Sequence, residues 1–377
     1  MNNIFPARFL EATKYSLPLY VLGATLSIIG IVTMHVFEGG GGLSEKQLLW
    51  LLIGTVVYFV VSFLDVRVIR GTSFIMLMYG ISIALLVLLF LVSPIQGAKS
   101  WFSLGPLSFQ PADFAKLALL ALLARYFSRR HMEIKHMSHI LLSGVYAGIP
   151  IFLILIQPDL GTAVIMMTVW FALVLISGLS KKHLFFAIIV GLVVASSLWF
   201  FGLKEYQRTR IVAFINPAAD IRGSGYNSYQ AMIAVGSGQV AGKGIGYGTQ
   251  SELRFLPEYE SDFIFAAFAE EWGFFGVVLV FILFTLLCLQ LVVIALRSAT
   301  NFDAFFTLGV LVLFSAHFFV HVGINLGLLP VTGTTIPFMS SGGSHLLLEF
   351  TLLGIVSSLA SHARTTSTRA FTREIEI

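Results

Sequence analysis

Apolar residues in this chain neither alternate with polar ones nor keep to a single helical face. They run unbroken for about twenty residues and stop at short polar clusters, as helices that cross a bilayer do. Eight runs contain no Asp, Glu, Lys or Arg: Leu17–Phe37, Leu48–Leu64, Thr72–Val92, Ile140–Ile156, Leu160–Gly178, Leu184–Leu203, Trp272–Leu296 and Ala304–Leu328. Two more carry charge: Phe114–Phe127 holds Lys116 and Arg125, and Leu346–Ser361 holds Glu349. The pattern predicts an all-α polytopic membrane protein of about ten transmembrane helices. They form one domain, 1–361, followed by a disordered polar tail, 362–377. The first run is as long as a span and lacks a small-residue cleavage site, so it is not read as a removable signal peptide.

Composition agrees. Of 377 residues, 57% are hydrophobic and 11% charged, against about 25% charged in soluble domains. The single cysteine, Cys288, excludes an intramolecular disulfide and a thiolate metal cluster. Basic residues are scattered over many short loops, which excludes a nucleic-acid footprint. Their distribution instead sets orientation. With the N-terminus in the cytoplasm, 14 of the 23 Lys and Arg fall on inner segments and only Lys46 and Lys99 on short outer ones. Both termini are then cytoplasmic, and one large outer loop, about 204–262, faces the extracellular or periplasmic side.

That loop has eight glycines between Gly223 and Gly248. It is neither a Walker A loop nor a dinucleotide fingerprint, because no strand precedes it and GKG lacks the following Ser or Thr. Flexible backbone is the expectation, with an anion-binding nest as the alternative. Tyr226–Val235 is read as a short amphipathic helix on the surface. The loop ends in FLPEYESDFIFAAFAEEWGFFG, with five carboxylates. Glu258 and Glu260 precede the helix. Ser261 or Asp262 is its natural N-cap. Glu270 and Glu271 lie deeper and are read as paired and structural. Asp262 alone stands at the membrane boundary, with Arg208, Arg210, Arg222, Lys243 and Arg254 on the same outer segment, and is the candidate acid of a catalytic site.

Two other strings share a grammar of Pro, then an acid that can cap the next helix. In FQPADFAK, Asp113 and Lys116 are an i, i+3 pair on one face, and an intramembrane lysine is a functional candidate by default. In QPDLGTA, Asp159 caps the following span across a tight outer turn. His317 and His321 have metal-ligand spacing but no third ligand in view, so they are read as hydrogen-bonded interior residues.

The strings FQPADFAKLALLALLARYF, QPDLGTA, YQRTRI, GSGQVAGKGIGYGTQSELRFLPEYESDFIFAAFAEEWGFFG and GLLPVTGTTIPFMSSGGS, in that order, resemble the successive signatures of the SEDS family (RodA/FtsW/SpoVE). GTQSELRFLPE is most like the RodA branch, of cell elongation. The resemblance implies a peptidoglycan glycosyltransferase in the bacterial cytoplasmic membrane. It would polymerise lipid II on the outer face, with a class B penicillin-binding protein as transpeptidase partner. The family's essential acid falls on Asp262. Two positions depart from the family pattern. Asp113 stands where a Glu is usual, which shortens its reach toward Lys116, and Ser341 stands where a Tyr is usual.

Lipid II carries an α-linked sugar diphosphate and the polymer is β-1,4-linked, so each transfer inverts the anomeric carbon. That requires one general base and positive charge on the leaving group, and no second carboxylate as nucleophile. Arg210, Lys116, Asp159, Glu258 and Arg208 are the substrate-binding candidates. Asp113, Glu270, Glu271, Ser340, Gly342 and Gly343 are structural or cavity-lining. No metal ligands are assigned, although a divalent cation (Mg or Mn) could assist the diphosphate. The polyprenyl tails of lipid II and of the growing strand would lie among membrane lipids in grooves between spans. The competing classes are a lipid II flippase or other transporter, using Lys116, Asp113, Asp159 and Glu349, and a non-catalytic scaffold. A transporter should place its charges at the midplane of paired halves, whereas these cluster toward the outer boundary.

Overall fold

The computed structural model describes residues 4–36, 42–91, 100–104, 107–130, 137–178, 182–185, 205–215, 225–253, 255–256 and 258–375, with isolated positions between 189 and 200. Most of the expected span Leu184–Leu203, together with Arg222 and Arg254, lies outside the described residues. Helices α1 (Ile4–Val36), α2 (Leu43–Phe63) and α3 (Thr72–Leu88) are followed by strands β1 (Phe102–Leu104) and β2 (Leu107–Phe109). Next come α4 (Pro111–Arg130), α5 (Met137–Ile156) and α6 (Leu160–Ile176). The long loop between α6 and the next long helix holds α7 (Glu205–Ile215), α8 (Tyr226–Ser237) and the single turn α9 (Thr249–Glu252). Helices α10 (Ile264–Leu296), α11 (Asn301–Asn325) and α12 (Gly343–Ile375) complete the order.

Among the described residues, seven helices contain a stretch long and apolar enough to cross a membrane, and α6 is a shorter apolar helix. Helix α4, with twenty residues, occupies the place of the charged fourth run. Nine of the ten expected spans thus coincide with helices. The bundle is inverted in the way a bilayer demands. Leu52, Val56, Leu77, Phe152, Phe274, Phe275 and Leu289 are exposed on its outside, while Gln47, Asp113, Lys116, Gln157, His321 and Asn325 are buried. Helix α4 is the central post, buried along Ala118–Ala124 and packed against α3, α6 and α11. Helix α12 lies along α1 and α2, and α10 along α1 and α11. In a small second core, Ala231 and Ala234 of α8 meet Leu256, Phe263, Ala266, Ala267 and Ile324.

The all-α architecture stands, with one small addition, an antiparallel hairpin in which Leu104 pairs with Leu107. The signal is local: WFSLGPLSF is too short for a span and carries Gly-Pro between two β-compatible triplets. Past Ser361, where a disordered tail was expected, α12 continues in helical backbone to Ile375. Its last turns are polar, but nothing between Ile355 and Ile375 is Gly or Pro, so no residue stops the helix.

Candidate active site

The turn before α10 is fixed from two sides. Ser341 N–H donates to the Glu260 carbonyl at 2.8 Å, and Ser340 Oγ donates to the Ser261 carbonyl at 2.9 Å. Ser340 Oγ also accepts from Ile336 N at 2.9 Å, while its carbonyl accepts from Gln47 Nε2 at 3.0 Å. Gly342 N donates to Gln47 Oε1, and Gly343 has no room for a Cβ against the Trp50 indole. Ser340, Gly342 and Gly343 therefore brace this turn. Ser341 takes part through its backbone amide, a contact any residue there except proline can make. From the opposite side Asn325, buried at the end of α11, donates Nδ2 to the Asp262 carbonyl at 3.0 Å and to the His321 carbonyl at 2.8 Å. Its Oδ1 accepts from Ala266 N at 3.0 Å.

These contacts overturn the capping assignment. The residue at the N-cap of α10 is Phe263, with no side-chain cap of its own. Asn325 supplies the acceptor from another helix, and neither Ser261 nor Asp262 is needed. Among the described residues no hydrogen bond or ion pair engages the Asp262 carboxylate, which stands half-buried. A Cβ at Gly333 would lie 3.7 Å from Asp262 Oδ2, so the backbone of the α11–α12 loop passes close by. Burial pushes the Asp262 carboxyl up to about 6, helped by the charges of Glu258, Asp159 and Glu260 and opposed by Arg210. A carboxylate in that range is suited to taking a proton near neutral pH.

The surrounding charges come from three elements. Asp159 caps α6, accepting from Thr162 N at 3.0 Å, as its position after Pro158 predicts. Gln110 Nε2 reaches its other oxygen at 3.4 Å. Arg210 on α7 is exposed and lines a small cavity with Pro158, Leu160, Pro330 and Thr332. Arg208, two residues back, donates to the Phe200 carbonyl at 2.9 Å. Glu258 is exposed and accepts from Ser261 Oγ at 3.3 Å. The structure thus brings Asp262, Asp159, Glu258 and Arg210 into one electrostatic neighbourhood.

Lys116 is not among them. It is buried inside the bundle with Nζ 3.0 Å from Asp113 Oδ1. The shorter Asp side chain still makes the pair. Asp113 also accepts from Ser344 Oγ at 2.9 Å and lies 3.2 Å from His345 Nδ1, and His345 Nε2 is 3.1 Å from Glu349 Oε1. Glu349 Oε2 accepts from Phe338 N at 2.9 Å. The intramembrane charges are therefore closed on one another and on the α11–α12 loop. His317 and His321 are hydrogen-bonded through Nδ1 to the Thr335 and Thr334 carbonyls, as read from the sequence. Among the described residues no group of three His, Cys, Asp or Glu side chains is arranged to hold a metal ion.

The glycine-rich segment is neither flexible backbone nor a nest open to a ligand. It is docked on a break in α10 at Gly273, whose φ of 62° and ψ of −162° interrupt the helix. Phe274 N and Phe275 N donate to the Gln239 and Val240 carbonyls, and Lys243 N and Gly244 N to those of Glu270 and Glu271. The Glu270 carboxylate takes Lys243 Nζ at 2.6 Å, Gln250 N at 3.1 Å and Thr249 Oγ1 at 3.2 Å. Glu271 takes Gly246 N at 2.6 Å. Both acids are structural, as expected, but each pairs with the loop rather than with the other. Asn325, His345 and Gln47 were missed from sequence. Asn325 opens NLGLLP, which reads as the end of a span, and its reach to α10 crosses 59 positions.

Comparison with known proteins follows the same outline. Residues 14–365 match the FtsW/RodA/SpoVE model, described as cell cycle protein. The peptidoglycan glycosyltransferase MrdB of Escherichia coli K12 is 35% identical over 347 residues, 92% of this chain and 93% of that one. Stage V sporulation protein E of Bacillus subtilis 168 is 31% identical, over 94% of this chain and 99% of that one. Among solved structures, a chain of a peptidoglycan synthase complex coordinating polymerization and crosslinking superposes with a TM-score of 0.79. It is 31% identical, covering 93% of this chain and 98% of that one. The rod shape determining protein RodA of Thermus thermophilus gives 0.68 at 31% identity, covering 91% and 95%. With a family model spanning nearly its whole length and relatives matched almost end to end, the chain belongs to the FtsW/RodA/SpoVE family.

Proposed function

We propose that the chain is a peptidoglycan glycosyltransferase that polymerises lipid II into β-1,4 glycan strands on the outer face of the bacterial cytoplasmic membrane, in cell elongation. The carrying observation is the Asp262 carboxylate, half-buried at the start of α10 and, among the described residues, without a hydrogen bond, the cap coming from elsewhere. As general base it takes the proton of the acceptor 4-hydroxyl while that oxygen attacks the donor anomeric carbon from the face opposite the diphosphate. The carbon–oxygen bond to phosphate breaks, and the polyprenyl diphosphate leaves with the electron pair. Arg210 offers the charge that stabilises it. Glu258 lies beside the acceptor path, and Asp159 holds the turn that walls the Arg210 cavity. Arg208 supports Arg210 along α7, and Lys116 acts on the site only through its charge. A divalent cation, Mg or Mn, would arrive with the diphosphate and add positive charge to the leaving group; no side chain of this chain is assigned to it.

The orientation with both termini in the cytoplasm puts these groups outside, where a class B penicillin-binding protein could crosslink the strands. The name of MrdB and the synthase complex support the reading. The flippase alternative needs intramembrane charges open to a substrate, and Lys116, Asp113 and Glu349 are engaged with one another through His345. The test is strand formation from purified lipid II, with crosslinking blocked, by the wild-type chain and Asp262→Asn in the presence of the partner. Loss of polymer in a well-folded variant supports the base, and undiminished polymer refutes it.

A further inference from the structure

The amides at the start of a helix are strong acceptors' targets, and an Asp next to them is drawn in as a cap, which ties up its oxygens and stabilises its charge. Asp262 stands one residue before the N-cap Phe263 of α10 and is the nearest carboxylate to that helix end in sequence. Its side chain nevertheless takes no cap bond. Asn325 fills the role from α11: its carbonyl oxygen shares Ala266 N with the Phe263 carbonyl, each at 3.0 Å, and its two amide hydrogens go to the Asp262 and His321 carbonyls. It is fully buried, and its hydrogen-bonding capacity is used almost completely.

We infer that Asn325 is a positioning residue for Asp262: it caps α10 in that residue's place and grips its carbonyl, so that the carboxylate is kept off the helix end and available to substrate. This rests on the reading of Asp262 as the base. The geometry has no simpler use for so specific a crosslink. A plain structural cap needs only the acceptor on Ala266, whereas Asn325 also holds the peptide of the one acid that the cap displaces. The loop side completes the restraint, because Ser340 and Ser341 hold the two preceding carbonyls. Asp262 is thereby fixed at its backbone and released at its side chain.

The inference predicts the direction in which pH dependence moves. Among the described residues, the charged groups around Asp262 include Asp159 from the α5–α6 turn, Arg210 from α7, and Glu258 and Glu260 from its own turn. On the α11 side, His321 has its Nδ1 on the Thr334 carbonyl. None of these changes when Asn325 is replaced by Ala, but Ala266 N keeps only the Phe263 carbonyl as acceptor and the Asp262 carbonyl loses its restraint, so the Asp262 carboxylate can turn to the start of the helix, where its ionised form is favoured. The acid limb of polymerisation should move down by about one pH unit, and kcat should fall about tenfold or more as the base is weakened and misaimed. The KM for lipid II should change less than about threefold. Asn325→Ser, too short to bridge the same partners, should move the limb in the same direction. Asn325→Asp keeps an acceptor for Ala266 and adds a negative charge near Asp262, so its limb should move up.

The experiment measures kcat and KM for strand formation against pH in all three variants, at matched folded fraction, with Asp262→Asn alongside. A residue that only stabilises the fold would lower the amount of active protein and leave the limb where it is. Limbs at the wild-type pH in the variants that fold overturn the inference. If only Asn325→Asp folds, a limb at or below the wild-type pH does so. Polymer from Asp262→Asn would instead sink the base assignment itself. An inactive Asp262→Asn beside unmoved Asn325 limbs separates the two failures.

Discussion

Replacing Glu270 by Gln tests whether the glycine-rich segment is anchored. The Glu270 side chain is fully buried, and Oε1 collects Lys243 Nζ, Gln250 N, Thr249 Oγ1 and Ser237 Oγ, while Oε2 lies 3.3 Å from Gln250 N. A glutamine oxygen can replace Oε1, but the bond to Lys243 loses its opposite charge. Lys243 is 27% exposed and regains water, so that loss is about 1 kcal/mol rather than the figure for a dry pair. The glutamine amide then faces the Gln250 N–H, donor against donor, for about another 1 kcal/mol. A local destabilisation of about 2 kcal/mol raises the open population about thirtyfold. Glu270→Ala leaves the ammonium and the Gln250 amide both unmet, and about 3 kcal/mol or more is expected. Hydrogen exchange read on peptides covering 238–252 measures the opening directly. Exchange within threefold of wild type in both variants would mean that the segment is held by something other than Glu270.

Polymerisation should fall about tenfold per pH unit below pH 6, because the carboxyl of Asp262 is raised to about 6 and only its ionised form accepts a proton. Glu258→Gln removes a neighbouring charge that raises that value, so its limb should shift to lower pH, and an upward shift would contradict the assignment. The same raised value makes the ionised acid a burden on the fold above pH 6, relieved as pH falls through it; Asp262→Asn should therefore unfold at a higher temperature than wild type at pH 7.5. Gly242→Ala places a Cβ against Glu271 and Gly273 backbone at a φ of 79°, for about 3 kcal/mol of destabilisation. Gly148→Ala has nothing within 4 Å of the added carbon and should be neutral; equal thermal shifts would refute the docking account. Lys116→Met leaves Asp113 buried with its cation gone and should cost about 3 kcal/mol, while Lys116→Met with Asp113→Asn should recover most of it. Equal melting of the single and double variants would show that the pair is not coupled.

The spans were legible because a bilayer admits little else: twenty apolar residues without charge have few alternatives to a helix. Asp159 was legible too, since a cap needs only its neighbours. What could not be read was everything set by partners distant in sequence. Asp262 looked like a cap because Ser261–Asp262 precedes a helix, and only a side chain at position 325 shows otherwise. Glycines in GSGQVAGKG suggested freedom of movement, yet Gly238 and Gly242 are there to let two backbones touch. Lys116 appeared available to a ligand because its second neighbour in the charge network, His345, lies 229 positions away. The hairpin was lost to a search tuned to long runs.

The two anion receptors most visible in the sequence are both occupied by the protein itself. Amides of the glycine-rich segment are held by Glu270 and Glu271, with Gly246 N on one and Gln250 N on the other. Near the start of α10, the buried Ala266 N is shared between the Phe263 carbonyl and Asn325 Oδ1. A diphosphate arriving at Asp262 therefore meets side-chain charge rather than a backbone cradle, and among the described residues Arg210 is a cation acting on that acid. This division has a chemical reason. A rigid nest would bind the diphosphate as tightly before transfer as after it, and uniform binding does nothing for kcat. An exposed arginine on a short helix can follow the leaving group as its charge grows and then release it. The base needs the opposite treatment: a fixed backbone, an unbonded carboxylate and neighbours that keep its proton affinity high. Rigid support for the acid and an exposed side-chain cation for the leaving group are what repeated transfer by one active site requires.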